Sequence, residues 1–396
     1  MSGPSLFGRP RRYGRGAALT FVFGAVLAAG AATGAWGDRS APSGSPVRLS
    51  ADATTVNSAP AKGKALSDAL AEKGLGPEDA RELVSRSGDR WAAFYTEREF
   101  EGFQRTLDGQ YVGVGLWVRR MGDGRTEVAR VQPGSPAARG GVRVGDRLTR
   151  VGGTDVYGRP VTEVVALLRG GEAAAAKPGS TVVLGLERDG RASRVALRRA
   201  LMAAQDVSVE HLGHDVTRIK VDSFTRGVGR HVREALRGRS HRGVMLDLRG
   251  NSGGLVSEAN ETASAFLDGG LVATYDVDGE QHALFAEAGG DTATPLVVLV
   301  DGNTMSAAEM LAGALQDRSR AVVVGSRTFG KGSVQEPRTL PDGSVVERTV
   351  GTYRTPSGRT VDAGGVRPDV TVDTAKGSGA AKDQALTVLG GLAPRS

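Results

Sequence analysis

The 396-residue sequence contains no cysteine. Disulfides, thiolate metal sites and a cysteine nucleophile are thereby excluded, so any nucleophile must be an oxygen or an amine. Aromatic residues make up only 5% of the chain, which leaves no stacking platform for nucleic acid. The net charge of +7 and pI near 9.8 come from basic residues scattered singly among acidic ones, and no nucleic-acid partner is expected. Histidine is equally thin: His211, His214, His231, His241 and His282 complete the set of five. A serine that needs an imidazole base must find it among these. The length and the 39% hydrophobic content still allow a sizeable core divided over two or three domains.

What is present begins with an address. Arg9, Arg11, Arg12 and Arg15 precede the uncharged run Ala17 to Ala35, and Asp38 and Arg39 close it. A basic flank followed by an apolar stretch implies export of everything downstream. The run is just long enough to cross a bilayer core of about 30 Å, yet it holds small-residue sequences that a signal peptidase accepts. Residues 1–37 are therefore read as a signal peptide or a single-pass anchor, with the body outside the cytoplasm, either at the cell membrane or secreted. Residues 38–63, rich in Ser, Ala, Pro and Gly, read as a flexible linker.

Residues 64–110 carry helical periodicity, and Trp91, Phe94, Tyr95, Phe100 and Phe103 are expected to form a small core there. The period drops to two at Tyr111, and residues 111–200 read as a small β-rich domain. From 201 to 375, strand-like VTRIKV, GVMLDL, PLVVLV and AVVVG alternate with helical segments, which points to an α/β layer with buried strands. Residues 376–396 form a tail expected to be helical. The fold class is thus mixed α/β.

Two serines compete for chemistry. LRGNSGGL, Leu248 to Leu255, satisfies the G-x-S-x-G pattern of a nucleophile elbow around Ser252. Elbow order leaves only His282 as its base, 30 residues downstream, which is too close for the usual arrangement. The turn is better read as glycines that present bare backbone N–H groups to an oxyanion at a helix N-terminus. Asp247 and Arg249 beside it read as a structural ion pair. Ser306, in LVDGNTMSAAEM, opens an Ala-rich helix after a buried strand, and Lys331 follows 25 residues later between two glycines in TFGKGSVQ. If the chain turns helically after Gly330, Lys331 and Gln335 share a face.

LRGNSGG, NTMSAAEM, TFGKGSVQ and YRTPSGRTVDAGGVRPDV, in this order and spacing, resemble the C-terminal processing peptidases, also called tail-specific proteases. The resemblance runs from about Ala65 to Val372. It implies a Ser/Lys-dyad serine protease with an inserted PDZ domain. It makes Ser306 the nucleophile, Lys331 the general base and Gln335 the residue that orients the lysine. The oxyanion hole it implies combines the Ala307 N–H with that of Gly253 or Gly254. A second serine frequent in the family's nucleophile motif is replaced here by alanine. For Lys331 to act as a base, burial must depress its pKa by about 3 units, roughly 4 kcal/mol of differential solvation. A neutral amide at Gln335 serves this requirement, whereas a carboxylate would oppose it.

GSPAARGGVRVGDRLTRVGG, Gly134 to Gly153, carries the PDZ resemblance. In such domains a Gly-hydrophobic-Gly loop presents N–H groups to a peptide's terminal carboxylate beside a helix. Here those positions are Gly113, Val114, Gly115 and Leu116, and the helix is Thr162 to Arg169. Expected partners are proteins or peptides with accessible C-termini and, through the N-terminal segment, the membrane; a homo-oligomer is compatible with the sequence. No cofactor is called for, and Glu210, His211 and His214 lack the further ligand of a zinc site, so no metal is expected. The competing reading is a catalytically silent, membrane-anchored PDZ adaptor.

Overall fold

The computed structural model describes residues 59–392 except 171–176, 214, 238–241, 278, 363 and 374–378. The Ala17 to Ala35 run lies outside the described residues. Among the described residues no helix is long and apolar enough to cross a membrane.

The central layer is a six-stranded sheet in the order Val207–Leu212, Val216–Val221, Gly243–Asp247, Leu296–Val300, Val322–Gly325 and Val370–Thr371. The first pair is antiparallel and the rest are parallel. Gly243–Asp247 and Leu296–Val300 are buried throughout, which is why they read as unbroken apolar runs. One face, with Ile219, Leu246, Val298 and Val323, packs against helices Val228–Leu236, Val256–Ser264 and Ala307–Asp317. The other face, with Met245, Val297, Leu299 and Val324, is covered by the Ala380–Leu392 helix through Ala385 and Leu389.

Beside this layer lies an antiparallel sheet of Ala93–Tyr95, Ser333–Thr339, Val345–Arg354, Leu271–Val277 and Glu280–Phe285. Helices Ala59–Lys73 and Pro77–Arg86 pack onto it through Leu66, Leu70, Ala80 and Val84 against Phe94 and Val346. The first of them begins inside the stretch read as a linker, with Pro60 in its opening turn, where a missing N–H costs no helical bond.

A separate core of Val128, Leu148, Val164, Leu184, Leu186 and Leu197 belongs to the β-rich unit. Its sheet runs from Leu116–Arg120 to Arg191–Arg198, with the Val161–Arg169 helix against it. Its entry and exit strands, Gln110–Gly113 and Ala200–Ala203, pair with each other, so the chain enters and leaves the unit side by side.

The aromatic segment departs from expectation. Residues 93–95 form a strand, not a helix, and only Phe94 is buried in the core. The Thr96 hydroxyl caps a new helix, Glu97–Leu107, with Glu99 bonding back to Thr96 N–H. Tyr95, Phe100 and Phe103 remain half-buried and stack on one another instead. The strand forms because Ala93–Tyr95 finds an open edge at Val345–Glu347.

Candidate active site

Ser306 sits at the N-cap of the Ala307–Asp317 helix with φ 58 and ψ −120. Such a backbone stores about 1–3 kcal/mol in a residue other than glycine and persists only where contacts over-determine it. Here Ser306 N–H donates to Glu309 Oε2 at 2.9 Å, and the Ser306 carbonyl accepts from Tyr353 Oη at 3.1 Å. The hydroxyl is left over: Ser306 Oγ is buried with no hydrogen-bond partner among the described residues.

The GNSGG turn is bound to this corner. Met305 N–H donates to Asn251 O, the Thr304 hydroxyl to Leu248 O, and Gly250 N–H to Asp301 Oδ1. A Cβ on Gly253 would lie 3.0 Å from Ser306 Cβ and 3.3 Å from Ala307 N, so glycine is needed for the approach. Gly253 N–H donates to Asn251 Oδ1 at 2.8 Å and is committed. Gly254, held by a parallel bridge to Phe224, and Ala307 have no N–H acceptor among the described residues. Ser252 lies on the same turn, while His211 bonds Thr217, His231 lies on the Val228–Leu236 helix and His282 stacks on Tyr275. His214 and His241 lie outside the described residues.

Lys331 is fully buried. Burial lowers its amine from 10.5 to about 8, against the opposing pull of Glu347 and Asp89. At that value about a fifth of the amine is neutral near pH 7.4, compared with about one in a thousand for an ordinary lysine. Its Nζ lies 4.7 Å from the centroid of the Trp91 ring, a contact that favours the charged form. The carboxylate neighbour was not foreseen: Glu347 comes from a strand that no motif near Lys331 announces.

Gln335 is not on a helix with Lys331. Gly330 turns the chain at φ +94, and Ser333–Thr339 is a strand paired with Val345–Arg354. A two-residue period, not a four-residue one, therefore puts Ser333 and Gln335 on one face. Gln335 Nε2 donates to Ser333 Oγ at 2.9 Å, and its buried Oε1 has no partner among the described residues.

Sequence reasoning missed Glu309. Its buried carboxylate takes four donors: Ser306 N–H, Lys331 N–H at 2.9 Å, Gly330 N–H at 2.7 Å and the Thr328 hydroxyl at 2.5 Å. Burial pushes the acid above its ordinary value and these donors pull it back. One side chain thus ties the backbone of Ser306 to that of Lys331. The S-x-x-E capping pattern of SAAE was the signal that could have found it.

At the strand end, Asp247 is fully buried and receives Arg249 at 2.7 Å and Arg218 at 2.7 Å. A concavity of about 400 Å³ lies on the β-rich unit. It is lined by Gly113, Val114, Gly115 and Leu116 and faced by Val165, Leu168 and Arg169 of the helix. Gly115 has φ +77, and a Cβ there would meet Ser135 Cβ at 2.3 Å.

Residues 215–372 match Peptidase family S41, and residues 127–177 match the PDZ domain. The carboxy-terminal processing protease CtpA of Bacillus subtilis is 30% identical over 297 residues, which cover 74% of this chain and 62% of that protein. The chain spans about three-fifths of the length of such curated relatives, 59% in a Staphylococcus aureus CtpA-like protein. A Bacteroides fragilis structure described as a candidate S41 protease shares the fold at 17% identity, with 88% of this chain and 94% of that one covered and a TM-score of 0.51. The photosystem II D1 C-terminal processing protease is 30% identical over 75% of this chain and 81% of that one, with a TM-score of 0.48.

Proposed function

The chain belongs to the C-terminal processing peptidases of family S41, and from that premise we propose that it is an exported serine endopeptidase that binds protein C-termini in its PDZ groove and cuts nearby peptide bonds. Residues 111–200 are assigned to the PDZ domain, 201–375 to the protease core and 64–110 to the helical region that packs on it. The basic and apolar N-terminal segment supports work outside the cytoplasm.

The observation that carries this reading is the single carboxylate of Glu309 holding both Ser306 and Lys331 N–H groups, beside a Ser306 hydroxyl that has no hydrogen-bond partner among the described residues. Lys331 Nζ takes the Oγ proton as Ser306 attacks the scissile carbonyl carbon. The oxyanion accepts from Ala307 N–H and from a glycine N–H of the turn, where Gly254 is uncommitted and Gly253 must first leave Asn251. Collapse breaks the C–N bond, and Lys331 returns the proton to the leaving amine. Water then attacks the acyl ester, gives its proton to Lys331, and Oγ departs with that proton. Gln335 is assigned to orient the lysine, because an amide does so without adding charge.

The test is cleavage, by the full chain, of a protein with an unstructured apolar C-terminus. Ser306→Ala and Lys331→Ala are expected to abolish it, and Ser252→Ala to retain it. Survival of Ser306→Ala with loss in Ser252→Ala would move the nucleophile to the GNSGG turn. Binding of C-terminal peptides with no cleavage by the wild type would make the protein an adaptor.

A further inference from the structure

One buried acid near Lys331 has no part in the mechanism above. Glu347 is 2% exposed, and among the described residues its carboxylate accepts a single hydrogen bond, from the Tyr95 hydroxyl to Oε2 at 3.4 Å. Strand register places Ala93 opposite Glu347 on one side and Pro337 opposite it on the other. Thr349, two residues along on the same face, is paired with Gln335 and gives both its N–H and its hydroxyl to Asp89 at 2.8 Å. The Asp89 to Tyr95 segment thus lies over a buried polar layer of Gln335, Glu347 and Thr349, with Trp91 of that segment over Lys331. Two acceptors in this layer, Gln335 Oε1 and Glu347 Oε1, have no hydrogen-bond partner among the described residues.

We propose that Glu347 is a positioning residue for Lys331: Tyr95 fixes its carboxyl within electrostatic reach of the amine, and this acid sets the pH range over which Lys331 takes the Ser306 proton. The inference rests on the Ser306–Lys331 assignment.

The charges acting on Lys331 come from Glu347, Asp89, Arg90 and Glu309, in that order. Asp89 is occupied by Thr349, Glu309 by its four donors, and the Arg90 guanidinium lies 4.3 Å over the Trp91 ring. Arg348, the next residue on the strand, pairs with Glu336 at 3.5 Å. Glu347, with one long bond from Tyr95 and with Oε1 lacking a partner among the described residues, is therefore the acid whose charge is least spent on hydrogen bonds. Lys331 is in turn the charge that acts most on it, and burial raises its carboxyl to about 7. Acid and amine titrate in the same neutral range and exchange influence as a pair. While Glu347 is charged the ammonium is favoured; a neutral residue there makes the free amine available at lower pH.

The experiment is the pH profile of kcat/KM for full-length wild type, Glu347→Gln, Glu347→Asp and Tyr95→Phe, with thermal unfolding of each. A titration of the Lys331 Cε resonance, assigned by its loss in Lys331→Ala, is run in the Ser306→Ala background. Glu347→Gln is expected to move the acid limb and the Lys331 titration down by about one unit. Tyr95→Phe should move both the same way by less, and Glu347→Asp should restore the wild-type position. A Glu347→Gln profile with an unmoved midpoint, or one moved up, overturns the proposal whatever its amplitude. If Glu347→Gln does not fold, an unmoved Lys331 titration in Tyr95→Phe overturns it instead. Cleavage by Ser306→Ala or Lys331→Ala would sink the dyad itself, a result separate from any limb shift.

Discussion

Replacing Glu309 by glutamine changes one oxygen for an amino group and nothing in volume. Oε1 accepts from Thr328 Oγ and Gly330 N–H, and Oε2 from Ser306 N–H and Lys331 N–H. With the amino group in place of Oε2, the Ser306 and Lys331 N–H groups face a donor; in place of Oε1, only Gly330 N–H does, because the Thr328 hydroxyl can turn to accept. Each such donor costs about 1–3 kcal/mol, so the change removes about 1–3 kcal/mol in the second orientation and about 2–6 kcal/mol in the first, a large part of a typical stability of about 5–15 kcal/mol. The first place to relax is Ser306, whose φ of 58 is held by the same carboxylate. If only about 2.7 kcal/mol of the loss appears as misplacement of Ser306 against Lys331, turnover falls about 100-fold. The assay is kcat and KM on a C-terminal peptide substrate beside thermal unfolding, with Ser306→Ala as the zero. The expectation is a lower unfolding temperature and a kcat loss that exceeds any change in KM. A Glu309→Gln protein with wild-type unfolding and kcat within about threefold would refute the argument that this carboxylate ties the two residues together.

Because Lys331 must be neutral to accept a proton and its value is lowered to about 8, kcat/KM should climb as pH rises through that value; a profile flat from pH 6 to 9 would contradict a lysine base. Gly253→Ala puts a Cβ 3.0 Å from Ser306 Cβ at φ +99, and should cut turnover while the protein stays folded, as seen by circular dichroism. Gly254→Ala, with its Cβ 2.5 Å from Phe224 O, should damage folding as well. Asp247→Asn leaves Arg218 and Arg249 facing a neutral group, and should cost about 3 kcal/mol, at the low end for buried pairs because the arginines stay 23% and 20% exposed. Burial pushes the Asp247 carboxyl up, but Arg249 and Arg218 hold it below its ordinary value. Its stabilisation is therefore present above the unfolded value and lost as pH falls, so wild type and Asp247→Asn should converge in urea midpoints under acid.

The parallel strands were legible because burial on both faces demands unbroken apolar runs such as LVVLV. The β-rich insertion was legible because its turns need glycine at positive φ, as at Gly115 and Gly145. The aromatic segment was misread because periodicity does not report a neighbour: Ala93–Tyr95 became a strand only when Val345–Glu347 offered it an edge. Lys331 and Gln335 were set on a helix for the same reason. A four-residue helical spacing and a glycine turn that leads into a strand are indistinguishable until the pairing partner is known.

The sequence by itself determined the oxygen or amine chemistry, by its lack of cysteine, and the order of the serine, lysine and glycine motifs along the chain. Tertiary structure alone decided how those motifs meet. Glu309 becomes a joint only when Gly330 and Lys331 fold back onto the helix that carries it, 21 and 22 residues away. Glu347, on Val345–Arg354, and Trp91, just before Ala93–Tyr95, reach the lysine only because those distant strands pair. The Gly253 N–H, nominally a donor for an oxyanion, was claimed by Asn251. Residue type fixes what a group can donate, accept or titrate; burial and the neighbours brought by folding fix whether it does, because desolvation and charge act through space and not along the chain.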